Sequence, residues 1–146
     1  MRFLMVDRIT ELVSGKRATA VKNVALSEDF FTHHFPQYPI MPGALILECM
    51  VQLADWLIRE NQKFDHAGLP AAFDNIKFYR LVRPGDQLGL QVEVLERQNG
   101  HYRMNAQAQC EQQLVAVARF TMNLVPATEL EPVEEAKHFF NLIWRP

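Results

Sequence analysis

Three groups suited to moving protons next to a carbonyl fall within the stretch HHFPQYPIMPGALILECMVQLADWL, His33 to Leu57. Glu48 sits inside an apolar run, with Gln52 and Asp55 following four and three residues later. That spacing puts the three on one narrow stripe of a helix. The stripe has two readings. It is the wet edge of an amphipathic helix, or it faces a cleft, where the carboxyl of Glu48 can serve as a general acid. Just upstream, His33 and His34 lie in a loop stiffened by Pro36, Pro39 and Pro42, which limits the freedom of either ring. A histidine in such a loop is either an ordinary surface or core residue or a base, and spacing does not choose between the two rings. Gly43 would open the helix, where backbone N–H groups lack acceptors and a ligand can approach closely. A base, an acid and an oxyanion donor are the parts needed to remove a proton next to a carbonyl and expel a β-hydroxyl.

The elements that must position these groups follow from the apolar patterning. RFLMVDRITEL reads as a strand, VSGK as a turn and KRATAVKNVAL as a second, alternating strand. SEDFFTHHFPQYPIMPG, with three prolines, is an irregular loop. Pro42, at the first helical position, and Gly43 open a helix that runs to about Glu60. After a further loop AAFDNIKFYRLV reads as a strand ended by RPGD, and QLGLQVEVLER as the next. QNGH suits a tight hairpin with positive φ at both central residues. YRMNAQAQC and QLVAVARFTMNLV complete the strands. Two strands, one long apolar helix and four more strands predict an α+β fold with the sheet wrapped around the helix. The tail TELEPVEEAKHFFNLIWRP reads as a separate amphipathic helix carrying Val133, Ala136, Phe139 or Phe140, Ile143 and Trp144 at helical spacing. Residues 1–125 are therefore read as the main domain and 126–146 as its C-terminal helical extension.

Bulk properties narrow the function. At 146 residues, with 22% charged residues and a net charge of −2, one domain is expected, with no general attraction to nucleic acid or anionic membrane. The apolar run from Ala44 to Ile58 is interrupted and too short to span a bilayer, and the apolar stretch in MRFLMVDRIT is too short for the apolar core of a signal peptide. Cys49 and Cys110 read as reduced core thiols without metal-ligand spacing, which points to a cytoplasmic protein.

FFTHHFPQYPIMPGALILECMVQ resembles the active-site segment of the β-hydroxyacyl-(acyl carrier protein) dehydratases of bacterial fatty acid synthesis. That family reads Gly-His-Phe-Pro-Gly, two residues, an apolar residue, Met or Phe, then Pro-Gly, then a helix with Leu-Glu-Ala-Met-x-Gln. The similarity extends upstream through FLMVDRI and AVKNVALSEDFF, and downstream through FDNIKFYRLVRPGDQL, roughly residues 2 to 125. The resemblance implies a hotdog fold, a curved antiparallel sheet around one long central helix. It also implies dehydration of a 3-hydroxyacyl thioester on an acyl carrier protein to the trans-2-enoyl thioester, in fatty acid synthesis or a related polyene or polyketide route. It puts the catalytic histidine on His34, before Phe35-Pro36, and the acid on Glu48, fourteen residues later. The thioester-polarising N–H falls on Gly43, and Gln52 matches a polar residue that supports the site. A branch that also isomerises the double bond carries Asp in place of Glu48, so plain dehydration is implied. The phosphopantetheine arm belongs to the substrate, and neither cofactor nor metal is implied. The family sets His and acid on different subunits, which implies a homodimer or a higher multiple of it. Arg80 and Arg83 are weaker candidates for meeting an acidic carrier, and Asp55 is a weaker candidate for the site.

The chain departs from the pattern in three places. Gln37 replaces a usual Gly, the short helix that usually precedes FLMVDRI is nearly absent, and the helix after Val125 is extra. Two rival readings remain. One is a thioesterase on the same fold, in which a carboxylate is aimed at the thioester carbon. The other is an acyl-binding or assembly protein without catalysis.

Overall fold

The computed structural model of the chain describes residues 4–146. Arg2 and Phe3, the first residues of the expected first strand, lie outside them. Strands β1 (Arg8–Val13) and β2 (Arg17–Asn23) lead through a 3-10 turn (Asp29–Thr32) into helix α1 (Gly43–Asn61). Strands β3 (His66–Phe78), β4 (Gln87–Gln98), β5 (His101–Cys110) and β6 (Gln113–Pro126) follow. A second 3-10 turn (Ala127–Glu129) precedes helix α2 (Val133–Ile143). The strands form one sheet in the order β1-β2-β4-β5-β6-β3, antiparallel at every pairing. Helix α1 packs against β2, β3, β4, β5 and β6, so the sheet wraps the helix as the sequence predicts.

The core lies between α1 and the inward faces of the strands. Cys49, Leu53, Leu57 and Ile58 of α1 meet Leu88, Met104, Phe120 and Met122 of the sheet in one fully buried cluster. Burial pushes the Cys49 thiol up to about 12, so it is an inert core group. Cys110, expected in the core, instead ends β5 and is only half-buried.

Several boundaries move from the sequence reading. Pro42 is the N-cap of α1 rather than its first residue, and it brings no side-chain cap. The first strand begins at Arg8, and upstream of it the Met5 N–H bonds to Gln52 of α1 instead of to a neighbouring strand. Strand β3 starts at His66, five residues before the expected Ala71, and ends at Phe78 rather than Val82. Its Pro70 is tolerated because β3 is an edge strand, paired only with β6. In the Asn99-Gly100 turn only Gly100 has positive φ, at 79°. Both central residues are positive instead at Glu111 and Gln112, between β5 and β6.

Helix α2 folds back onto α1. Phe139 and Phe140 each lie 5.8 Å from the Trp56 ring, and Phe64 meets Phe140 edge-on at 5.4 Å. Ala136, Phe140 and Ile143 form its buried face, while Trp144 lies past its end and bridges to Ile9. Among the described residues no helix is long and apolar enough to cross a membrane.

Candidate active site

The loop ahead of α1 is locked by backbone bonds. The His34 N–H donates to Phe30 O at 3.1 Å, and the Ile40 N–H donates to His34 O at 3.1 Å. The Met41 N–H then donates to Val82 O at 2.7 Å, anchoring the loop to the chain beyond β3. Within this frame the His34 ring is half-buried and stacks on Phe35 at 4.5 Å. Its Nδ1 lies 3.1 Å from the Ile40 carbonyl oxygen. A carbonyl only accepts, so this bond requires the proton on Nδ1 and leaves the lone pair on Nε2. His33 is exposed. The structure thus separates two histidines that spacing leaves equivalent: one ring is oriented, the other faces solvent.

Glu48 stands on the second turn of α1 and is half-buried. The Gln52 Nε2 donates to Glu48 Oε1 at 2.9 Å. Gln52 is itself oriented, because the Met5 N–H donates to its Oε1 at 2.9 Å. The amide oxygen is thereby committed to the backbone and the NH2 to the carboxyl. One carboxyl oxygen of Glu48, Oε1, is thus held by an amide that is itself held. Glu48 and Gln52 line a cavity of about 200 Å³ together with Leu4, Asp55, Trp56 and Arg59. The stripe is therefore a cleft-facing line of groups rather than only a wet edge. His34 of the same chain is not among the residues that line this cavity.

Gly43 begins α1, where its N–H has no carbonyl four residues back in the helix to serve as acceptor. A Cβ there would come within 3.1 Å of the Phe78 ring, so the end of β3 closes tightly over the helix N-terminus at the glycine.

Asp55 has a different occupation from its two stripe mates. Its Oδ2 accepts from Arg59 Nε at 2.9 Å, and its Oδ1 accepts from the Gly68 N–H at 2.8 Å. Burial pushes its carboxyl above the ordinary range, against the pull of Arg59 and of the Gly68 N–H. Arg59 is 5% exposed and its Nη1 lies 3.0 Å from Glu131 Oε1, an ion-pair contact without hydrogen-bond alignment. Asp55 thus braces the start of β3 and, through Arg59, the segment leading to α2. Sequence reasoning missed that clamp and the Met5 contact with Gln52. Both join residues far apart in the chain, and no local pattern announces them.

A family model described as FabA-like domain matches residues 1–119. The chain is 42% identical over 120 residues to the 3-hydroxyacyl-[acyl-carrier-protein] dehydratase FabZ of Geobacillus thermodenitrificans, covering 77% of this chain and 83% of that protein. It is 42% identical over 126 residues to the protein of the same name from Thiobacillus denitrificans, covering 84% and 87%. Among solved structures it is similar to a hot-dog-like protein from Thermanaerovibrio acidaminovorans, with a TM-score of 0.66 and 18% identity over 92% of this chain and 96% of that one. The hotdog fold is thereby established.

Proposed function

The chain belongs to the FabA-like family, and from that premise we propose that it dehydrates a 3-hydroxyacyl thioester on an acyl carrier protein to the trans-2-enoyl thioester. The observation that carries the reading is an oriented base matched by an oriented acid: His34 with Nε2 left free, and Glu48 held by Gln52. Nε2 of His34 takes the proton from the α-carbon. The electron pair of that C–H bond forms the α,β double bond, and the β-carbon–oxygen bond breaks. Glu48 supplies the proton with which the hydroxyl leaves as water. Charge builds on the thioester oxygen meanwhile, and the Gly43 N–H at the helix N-terminus is the donor that meets it. An interaction of that kind in a water-poor site is worth about 3 kcal/mol. The products leave His34 protonated and Glu48 ionised, and proton exchange with solvent resets both. No step calls for a redox change.

We place the complete site between two copies of the chain. Within one chain His34 lies outside the cavity that holds Glu48. Strand β3 is a sheet edge whose Leu69, Phe73, Ile76 and Phe78 are exposed. An unpaired edge bearing large apolar side chains is what a second copy would cover. The end of that strand packs on Gly43, and the chain beyond it is bonded to the His34 loop, so a second copy on this edge would stand close to both. The reduced state of both cysteines suits a cytoplasmic enzyme.

The substrate's carrier would meet the exposed surface formed by Arg80 and Arg83 with Tyr38, Tyr79 and Leu81. Tyr38 belongs to the His34 loop, so this cationic mouth stands beside the base. Reversing both charges, with Arg80→Glu and Arg83→Glu, is expected to raise KM for a carrier-bound substrate about tenfold. The same acyl group on a short uncharged thiol should be affected far less. Equal effects on the two substrates would remove these arginines from carrier docking.

The reading as a whole is tested by giving the wild-type protein a 3-hydroxyacyl-carrier thioester and a saturated acyl thioester. Enoyl product from the first, without free thiol from either, is the expected result. Free thiol from both would make it a thioesterase, and neither product would leave an acyl-binding protein.

A further inference from the structure

Strand β2 turns Ala18, Ala20 and Lys22 towards the core, and Lys22 is only 5% exposed. A buried ammonium is expensive, and an apolar side chain of the same volume would fill the position without that cost. What the charge holds is therefore informative. Lys22 Nζ lies 2.8 Å from Glu28 Oε1 and 3.9 Å from Asp7 Oδ2.

Each of those carboxylates anchors a segment that leads to one of the two catalytic groups. Glu28 caps the 3-10 turn Asp29–Thr32, and its carbonyl accepts the Phe31 N–H at 3.1 Å. The Phe30 carbonyl then accepts the His34 N–H. Fixing Glu28 therefore fixes the start of the loop that presents the base. Asp7 accepts the Asn23 N–H at 2.7 Å and donates its own N–H to Val21 O at 2.9 Å. Two residues upstream, Met5 orients Gln52, which orients Glu48.

We propose that Lys22 is a positioning residue for both halves of the catalytic pair, its buried ammonium tying the His34 loop and the Gln52-orienting segment to strand β2. This rests on the dehydratase reading above. With the site completed across two chains, one Lys22 serves the base of one site and the acid of the other.

The test compares wild type, Lys22→Met, Lys22→Arg and Glu28→Gln in enoyl formation and thermal melting. Lys22→Met fills the space but leaves the Glu28 carboxylate without its cation, so it should melt below wild type, and its kinetics are read well below that transition, where the protein is folded. Its kcat should nonetheless fall about tenfold or more with KM within about twofold, the mark of misplaced groups rather than lost binding. Lys22→Arg, which keeps the charge, should regain most of that loss, and Glu28→Gln should fall in the same sense but less. A packing role predicts the reverse order, with Met matching or exceeding Arg. Wild-type kcat in Lys22→Met, or more activity in Met than in Arg, would overturn the proposal. If Lys22→Met does not fold, Glu28→Gln decides, and an unchanged kcat there overturns it. A wild-type protein that forms no enoyl product refutes the dehydratase reading itself and takes this inference with it.

Discussion

Glu48→Gln is expected to fold as the wild type does and to lose about 100- to 10,000-fold in the rate of dehydration, the usual contribution of a general acid. The substitution keeps the volume and replaces the group that donates the proton by an amide that cannot. It also keeps the local bonding, because Gln52 Nε2 donates to Glu48 Oε1 and can donate equally to an amide oxygen in its place. The helix turn is held from below by Cys49 and Met50, both fully buried, and neither contact depends on the charge at position 48. Fold and activity should therefore separate cleanly: melting near wild type, with kcat for a 3-hydroxyacyl-carrier substrate lower by two orders of magnitude or more. A folded Glu48→Gln protein with near-normal turnover would remove Glu48 from the mechanism.

The readability of this site in the sequence depends on how local each of its contacts is. His34, Gly43, Glu48 and Gln52 lie in one continuous segment, so motif and helical spacing suffice to name them. Spacing alone does not decide whether the Glu48–Gln52–Asp55 stripe is a solvent edge or faces a cleft. The structure divides it differently again: Glu48 and Gln52 are bonded to each other, while Asp55 is spent on Arg59 and Gly68. Arg59 and Glu131 are far apart in the chain, and their pairing comes from α2 docking on Trp56, which no window of sequence contains. Lys22 did leave a trace, as a cation on the apolar side of an alternating strand, between Ala20 and Val24.

The fold shows the same division. Helix α1 was legible to within a residue of its ends, because its apolar periodicity is long and bounded by Pro42 and Gln62. Strand β3 was not. Gly68 and Pro70 punctuate it as a loop would, and its extended form is held from outside by the long β6 ladder that reaches His66. The exposed apolar side chains along β3 carry a further meaning that patterning misses, since a half-buried strand and an interface strand alternate alike.

Removing the two histidine rings in turn should give very different losses, and mixing chains should then undo one of them. His34→Ala is expected to cost about 100- to 10,000-fold in kcat, whereas His33→Ala should be close to wild type. The ring of His34 is pinned through Nδ1 to Ile40 O, and that of His33 is exposed. Equal losses would mean that the assignment of the base is wrong. The same variant tests where the site is built. Suppose the His34 of one chain works with the Glu48 of its partner. His34→Ala and Glu48→Gln proteins are then each inactive alone. In a mixed dimer one site joins the intact His34 to the intact Glu48, and its twin carries both lesions. Random pairing makes about half the dimers mixed, and half of their sites complete, so about a quarter of wild-type activity should return on co-refolding or co-expression. Mixed dimers are counted by tagging the two chains differently, and enoyl product is measured on the same sample. Mixed dimers that stay as inactive as the separate variants would place His34 and Glu48 in one chain. The exposed edge of β3 would then have to be explained by some contact other than the one that completes the site.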